Sequence, residues 1–141
     1  MVISARVRNS KGVHSAVVSS AGEVKHVLIP PKIEGYGSSV SGAELLFLAL
    51  ATCYCNDLYR EAKKRNIDIR EVEVEVIGSF GSEGEIARGI KYRPRVTSSA
   101  KLSEIEDLLR YTDTVAEVHN TLRTGVPVEL SIAREATAPT S

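Results

Sequence analysis

The chain has no surplus of charge of either sign: 18 lysines and arginines balance 18 aspartates and glutamates in 141 residues. Binding a nucleic-acid backbone or an anionic membrane surface needs excess positive charge, so neither partner is expected. Long hydrophobic runs are missing as well. The longest mostly apolar stretch, Ala43 to Cys55, interrupted by Glu44 and Thr52, falls short of the roughly 20 apolar residues that span a bilayer. Met1 to Arg6 contains no apolar core ahead of a small-residue cleavage site, so the expected location is the cytoplasm. Cysteine is scarce. The two present are expected there as free thiols rather than a structural disulfide. Repeats and linkers are also lacking, which predicts one domain over residues 1–141, with 135–141 as a frayed tail.

What is present suits a folded domain. Hydrophobic residues make up 43% and charged residues 26%, enough for one core and too apolar for disorder. Val2–Arg8, Ser15–Ser20 and Glu23–Ile29 read as a strand meander, broken by Gly12 and by the tight turn Ala21-Gly22. Pro30–Val40, with two prolines and two glycines, reads as a loop. Ser41-Gly42-Ala43-Glu44 has the capping-box spacing. The helix it opens ends in Lys63-Lys64-Arg65, which suits a C-terminus, and Asn66 can take the left-handed conformation that closes it. Its length is about 24 residues, or roughly 36 Å.

The alternation Glu71-Val72-Glu73-Val74-Glu75-Val76 places valines on one face of a strand over Arg70–Phe80. Glu85–Val96 is its hairpin partner across a glycine-rich turn. Ser103 with Glu106, and Thr114 with Glu117, have capping-box spacing ahead of two further helices, and Val126–Ile132 reads as a last strand. The order βββ-α-ββ-αα-β predicts an α+β domain with a long buried central helix. Leu45 to Ala51 is apolar on every side. Such a helix must be covered all round, and one sheet covers only one face, so a second copy of the chain is the expected cover.

Few residues carry chemistry. Cys53 and Cys55 lie two apart on the helix, so their sulfurs point about 200° apart and cannot pair without unwinding. Both sit well beyond the helix start, and an activated thiolate there needs a cation from elsewhere. His14, His26 and His119 lack the spacing of a metal motif, and no metal or cofactor is expected. His119, beside Asn120-Thr121, is expected in a solvated or capping role. Gly35-Tyr36-Gly37 lacks the third glycine of a dinucleotide fingerprint, Val40 standing there, so these glycines are expected to supply positive φ in a loop. Lys63-Lys64-Arg65 and the basic residues of Lys91–Arg95 are expected at solvated positions.

The run from Gly35 through Ser41-Gly42-Ala43-Glu44-Leu45-Leu46 to Ala51-Thr52-Cys53 resembles the first signature of the OsmC/Ohr family. Ala116–Leu122 followed by Val126-Pro127-Val128 resembles the second, in a degraded form. The resemblance covers about residues 30 to 132. It implies an OsmC-like fold and an intertwined homodimer with sites at the subunit interface. It also implies a peroxidatic cysteine at Cys53 that reduces organic hydroperoxides. The family's resolving cysteine corresponds to Ala116, and its assisting carboxylate to Ala43, with Glu44 one step round the helix. Its thiolate-stabilising arginine corresponds to Lys32, which lacks the planar fork.

Two functions follow as expectations. One is a single-cysteine thiol peroxidase for oxidative-stress defence. Its catalytic residues would be Cys53, Lys32 and Glu44, with a small apolar hydroperoxide as substrate and an external thiol as reductant. The other is a dimeric module that binds a small apolar ligand without turnover.

Overall fold

The structure, a computed structural model, describes residues 1–132. The expected tail at 135–141 lies outside them. Strands β1 (Ile3–Ser10), β2 (Val13–Ser20) and β3 (Glu23–Val27) form an antiparallel sheet in that order. The register Ser20↔Glu23 leaves Ala21-Gly22 as a two-residue turn. Both residues have positive φ, 50° and 79°, the mirror-image turn whose twist matches that of the flanking strands. On one face Val7, Ala16 and Val27 align across the three strands, and Ala16 is buried.

The loop 30–40 folds back on itself. Lys32 N–H donates to the Gly37 carbonyl at 3.1 Å, and Ser39 N–H to that of Pro30 at 3.0 Å. Asn9 brackets Gly37, accepting its N–H at 2.9 Å and donating to its carbonyl at 3.1 Å. Gly35 and Gly37 have φ of 82° and 104°, the loop conformation expected of them.

Helix α1 (Gly42–Lys64) opens with the capping box intact. Glu44 N–H donates to Ser41 Oγ at 3.1 Å, and Ser41 N–H to Glu44 Oε1 at 2.9 Å, so two orphan donors are satisfied reciprocally. Asn66, at φ 55°, closes the far end. The helix was expected to have one face covered by its own chain and the other left for a second copy, and the single chain covers one stripe. Leu50, Tyr54, Leu58 and Ala62, four residues apart, form the buried stripe, while Leu48 is 60% exposed. An isolated chain covers one stripe of a helix, however apolar the opposite side.

Strands β4 (Ile69–Ser79) and β5 (Arg88–Ser98) form a two-stranded sheet. Val72, Val74 and Val76 turn inward while Glu71, Glu73 and Glu75 face solvent, as the alternation requires.

The two helices that follow start elsewhere than their serine and threonine suggested. Helix α2 (Leu102–Val115) begins from Lys101 with no side-chain cap, so Ser103 lies inside it. Thr114 is in its last turn and donates to the Tyr111 carbonyl at 2.6 Å. Helix α3 (Glu117–Thr124) begins after Ala116, which serves both as C-cap of α2 and N-cap of α3. The second helix simply runs on through the threonine, because intrahelical bonds are available to it there. Residues 126–132 form no strand, and all of them are exposed. Alternation specifies an apolar face, but a strand exists only where a ladder partner accepts it.

By contact density the described chain has two compact units, Met1–Thr52 with Glu75–Arg93, and Cys53–Val74 with Pro94 onward. In the first, Phe47 and Phe80 meet with ring centroids 5.8 Å apart. In the second, Tyr54, Leu58, Leu108 and Thr112 are the largest fully buried side chains, and Tyr54 Oη donates to the Leu109 carbonyl at 2.9 Å.

Candidate functional site

Residues four apart on a helix share a face, so Cys53 and Asp57 of α1 are neighbours. The Cys53 thiol donates to Asp57 Oδ2 at 3.6 Å. The other carboxylate oxygen, Oδ1, accepts from Arg60 Nη1 at 2.8 Å. Arg60 is held in turn by Nε donating to Glu61 Oε2 at 2.8 Å, and the same oxygen accepts from Lys64 Nζ at 3.1 Å. The Asp57 and Glu61 side chains are only 7% and 5% exposed. Buried carboxylates are retained when each has a charged partner, as both do here.

The start of α3 completes the surroundings of the thiol. The Val118 backbone N–H donates toward the Cys53 sulfur, and the Glu117 carboxylate lies nearby. Donor atoms of Cys53, Asp57 and Glu117 all fall within 4.8 Å of one another, a thiol and carboxylate set of the kind that can ligate a cation. Burial pushes the Cys53 thiol pKa above its ordinary value. The Asp57 and Glu117 charges add to that rise, and the Val118 N–H opposes it. At neutral pH the sulfur therefore rests as a thiol, with its proton on the Asp57 side.

His119 was expected in a solvated or capping role, and the structure corrects this: it is 4% exposed. Its ring centroid lies 6.0 Å from that of Tyr54. The third residue of a short amphipathic helix points inward when the helix packs on that face. Burial, helped by the Arg123 charge, pushes its pKa down, while Asp113 and Asp57 pull the other way.

The other residues named from the sequence are fixed by neighbours of their own. Lys32 and Glu44 belong to the first compact unit and Cys53 to the second. Lys32 lies over Gly37, where an added Cβ would come within 3.3 Å of its Cε. The Glu44 carboxyl is held below the usual range by the Ser41 N–H and then by its hydroxyl, so its place is the helix cap. Cys55 is a free, half-buried thiol, as Cys53 is. The groups that the structure gathers round Cys53 are Asp57, Glu117 and the Val118 N–H. None of these was singled out from the sequence as a site residue; for Asp57 the available signal was an acid four residues on along the helix.

A family model described as OsmC-like protein matches residues 35–131. No curated protein sequence matches. Among solved structures, an OsmC-like protein from Mycoplasma pneumoniae is 22% identical with a TM-score of 0.60, over 86% of each chain. An organic hydroperoxide resistance protein OsmC from Legionella pneumophila is 17% identical, TM-score 0.58, over 87% of this chain and 90% of that one. An organic hydroperoxide resistance protein from Elizabethkingia anophelis is 16% identical, TM-score 0.58, over 87% and 89%. These likenesses establish a shared fold.

Proposed function

The chain belongs to the OsmC-like protein family, and on that premise we propose that it reduces organic hydroperoxides through Cys53 alone. The observation that carries the reading is the setting of the Cys53 sulfur. It lies within the family-matched segment, half-buried, between a backbone N–H from the start of α3 and a carboxylate that accepts its proton. A nucleophilic sulfur needs somewhere to send a proton and a donor to steady the anion that forms, and both are at hand. Two fold relatives bear the name organic hydroperoxide resistance protein, which supports the same choice of substrate.

The sulfur attacks the hydroxyl oxygen of the hydroperoxide, the O–O bond breaks, and the alcohol leaves with the proton. Cys53 becomes a sulfenic acid. With Ala116 at the resolving position, the sulfenic acid is reduced by two equivalents of an external thiol, releasing water and a disulfide. Lys32 and Glu44 enter this proposal from the family resemblance alone.

The working form in this proposal is a homodimer in the cytoplasm. The apolar surface left open by one chain supports the dimer: Leu48 of α1 is 60% exposed, and Val128 and Leu130 are 98% and 87% exposed. Among the described residues no helix is long and apolar enough to cross a membrane.

One observation favours a second reading, a binding module without turnover. Burial and the two neighbouring carboxylates raise the thiol pKa, which slows the chemistry that peroxidases depend on. Hydroperoxide-dependent oxidation of a dithiol by the purified protein separates the two. Turnover lost in Cys53→Ser supports the peroxidase, and equal rates in parent and variant leave the binding module.

A further inference from the structure

A thiol that rests protonated must lose its proton during attack, and the direction of the S–H bond decides where the proton goes. Cys53 points it at one oxygen of one carboxylate, Asp57 Oδ2 at 3.6 Å. An aspartate serving only the helix surface would turn to solvent. This one is 5% exposed and cannot rotate freely, because Arg60 holds Oδ1 at 2.8 Å. Arg60 is itself pinned by Glu61, and Glu61 by Lys64. The two oxygens thus have separate tasks, one facing the guanidinium and the other the sulfur. We propose that Asp57 is the catalytic proton acceptor of Cys53, with Arg60 and Glu61 as its positioning residues.

The assignment rests on the reading of Cys53 as the reacting thiol and supplies its proton path. The S–H proton passes to Asp57 Oδ2 as the sulfur lone pair forms the S–O bond with the hydroxyl oxygen of the hydroperoxide. The O–O bond breaks, the alkoxide takes the proton back from the Asp57 carboxylic acid, and the products are a sulfenic acid and an alcohol. Sulfur loses two electrons and the peroxide gains them. The transfer is concerted with S–O formation, since a carboxylate is too weak a base to deprotonate a resting thiol beforehand.

The other groups facing this pair are Glu117 and His119 from α3, and Arg60 from α1 itself. Burial pushes the His119 pKa below its ordinary value. A thiolate mechanism gains about tenfold in rate per pH unit below the thiol pKa. Transfer to a carboxylate from the thiol form gives a rate that is flat over that range, since it does not wait on the thiolate.

The test measures Cys53 modification from about pH 6.5 to pH 9, by cumene hydroperoxide and separately by iodoacetamide. It uses the parent, Asp57→Asn, Arg60→Ala and Arg60→Lys, with Cys55→Ser as common background and folding checked by circular dichroism. The parent is expected to show a plateau near neutrality. Asp57→Asn should lose it, rising steadily with pH from a rate on the order of 10²-fold lower at the acid end. Arg60→Ala should tilt the plateau, and Arg60→Lys should restore part of it. The proposal is overturned if the parent already climbs tenfold per pH unit and Asp57→Asn matches or exceeds it, which makes Asp57 only a suppressor of the thiolate. If iodoacetamide shows the plateau but the hydroperoxide does not react at any pH, the peroxidase reading fails and the proton-acceptor assignment stands.

Discussion

Replacing Ala116 by cysteine should give Cys53 a resolving partner. The side chain at a helix N-cap reaches toward the N–H of the second or third helical residue. Ala116 is the N-cap of α3, and the second residue is Val118, whose N–H already donates toward the Cys53 sulfur. A sulfur at position 116 is therefore aimed at the same donor as Cys53. Hydroperoxide should convert Cys53 to a sulfenic acid, which the introduced thiol attacks, expelling water and closing a disulfide.

The bond would close a loop of about 64 residues, worth about 4 kcal/mol by chain entropy. Against this, Ala116 has no exposed surface, so the larger side chain overpacks its site by about 1–3 kcal/mol in both redox states. The reduced variant should thus be less stable than the parent. Oxidation should raise its urea midpoint by more than 1 M or so, given slopes of about 1–3 kcal/mol per molar. Peptide mapping without reduction identifies the bond, and urea titrations with and without dithiothreitol measure its effect. An introduced thiol that stays free while Cys53 over-oxidises would refute the alignment of Ala116 with the resolving position.

Cys53 should be alkylated before Cys55, because Cys53 has Asp57 to take its proton and the Val118 N–H to steady the charge developing on sulfur; mass mapping after limited labelling checks this, and preferential labelling of Cys55 counts against the site. Leu58→Ala, at a position with no exposed surface, should cost about 2–5 kcal/mol in denaturant unfolding, and a loss under 1 kcal/mol or so would mean the site collapses or the stripe is not core. Because burial lowers the His119 pKa, the unfolded chain takes up that proton first as pH falls. The stability His119 contributes is present above its unfolded value, about 6.5, and is lost as pH falls from there toward the folded pKa. The stability advantage of the parent over His119→Gln should therefore narrow between about pH 7 and 5, and a widening gap would reverse the assigned direction. The unfolding midpoint should rise with protein concentration if a second copy covers the open apolar face of α1; a cooperative monomer at micromolar concentration by sedimentation would remove the dimer.

The elements built from local patterns were legible in the sequence. The Ser41–Glu44 box, the valine alternation of β4, the Ala21-Gly22 turn and Asn66 at the end of α1 each depend on neighbours a few residues away, and each is present as read. The same local chemistry misplaced the starts of α2 and α3: α2 begins one residue before Ser103 and runs on through Thr114, and α3 starts from Ala116. The last strand failed for a related reason: residues 126–132 have the alternation, but pairing depends on a ladder partner distant in sequence. Cys53 could be singled out from its motif, and Asp57 from helical spacing alone. That α3 would bring Val118 N–H and Glu117 to the same sulfur, and turn His119 inward, depends on how residues more than sixty positions apart pack. Spacing along the chain fixes which side chains share a face, but the partner that face meets, and so the charge beside the thiol, is decided only when the helices come together.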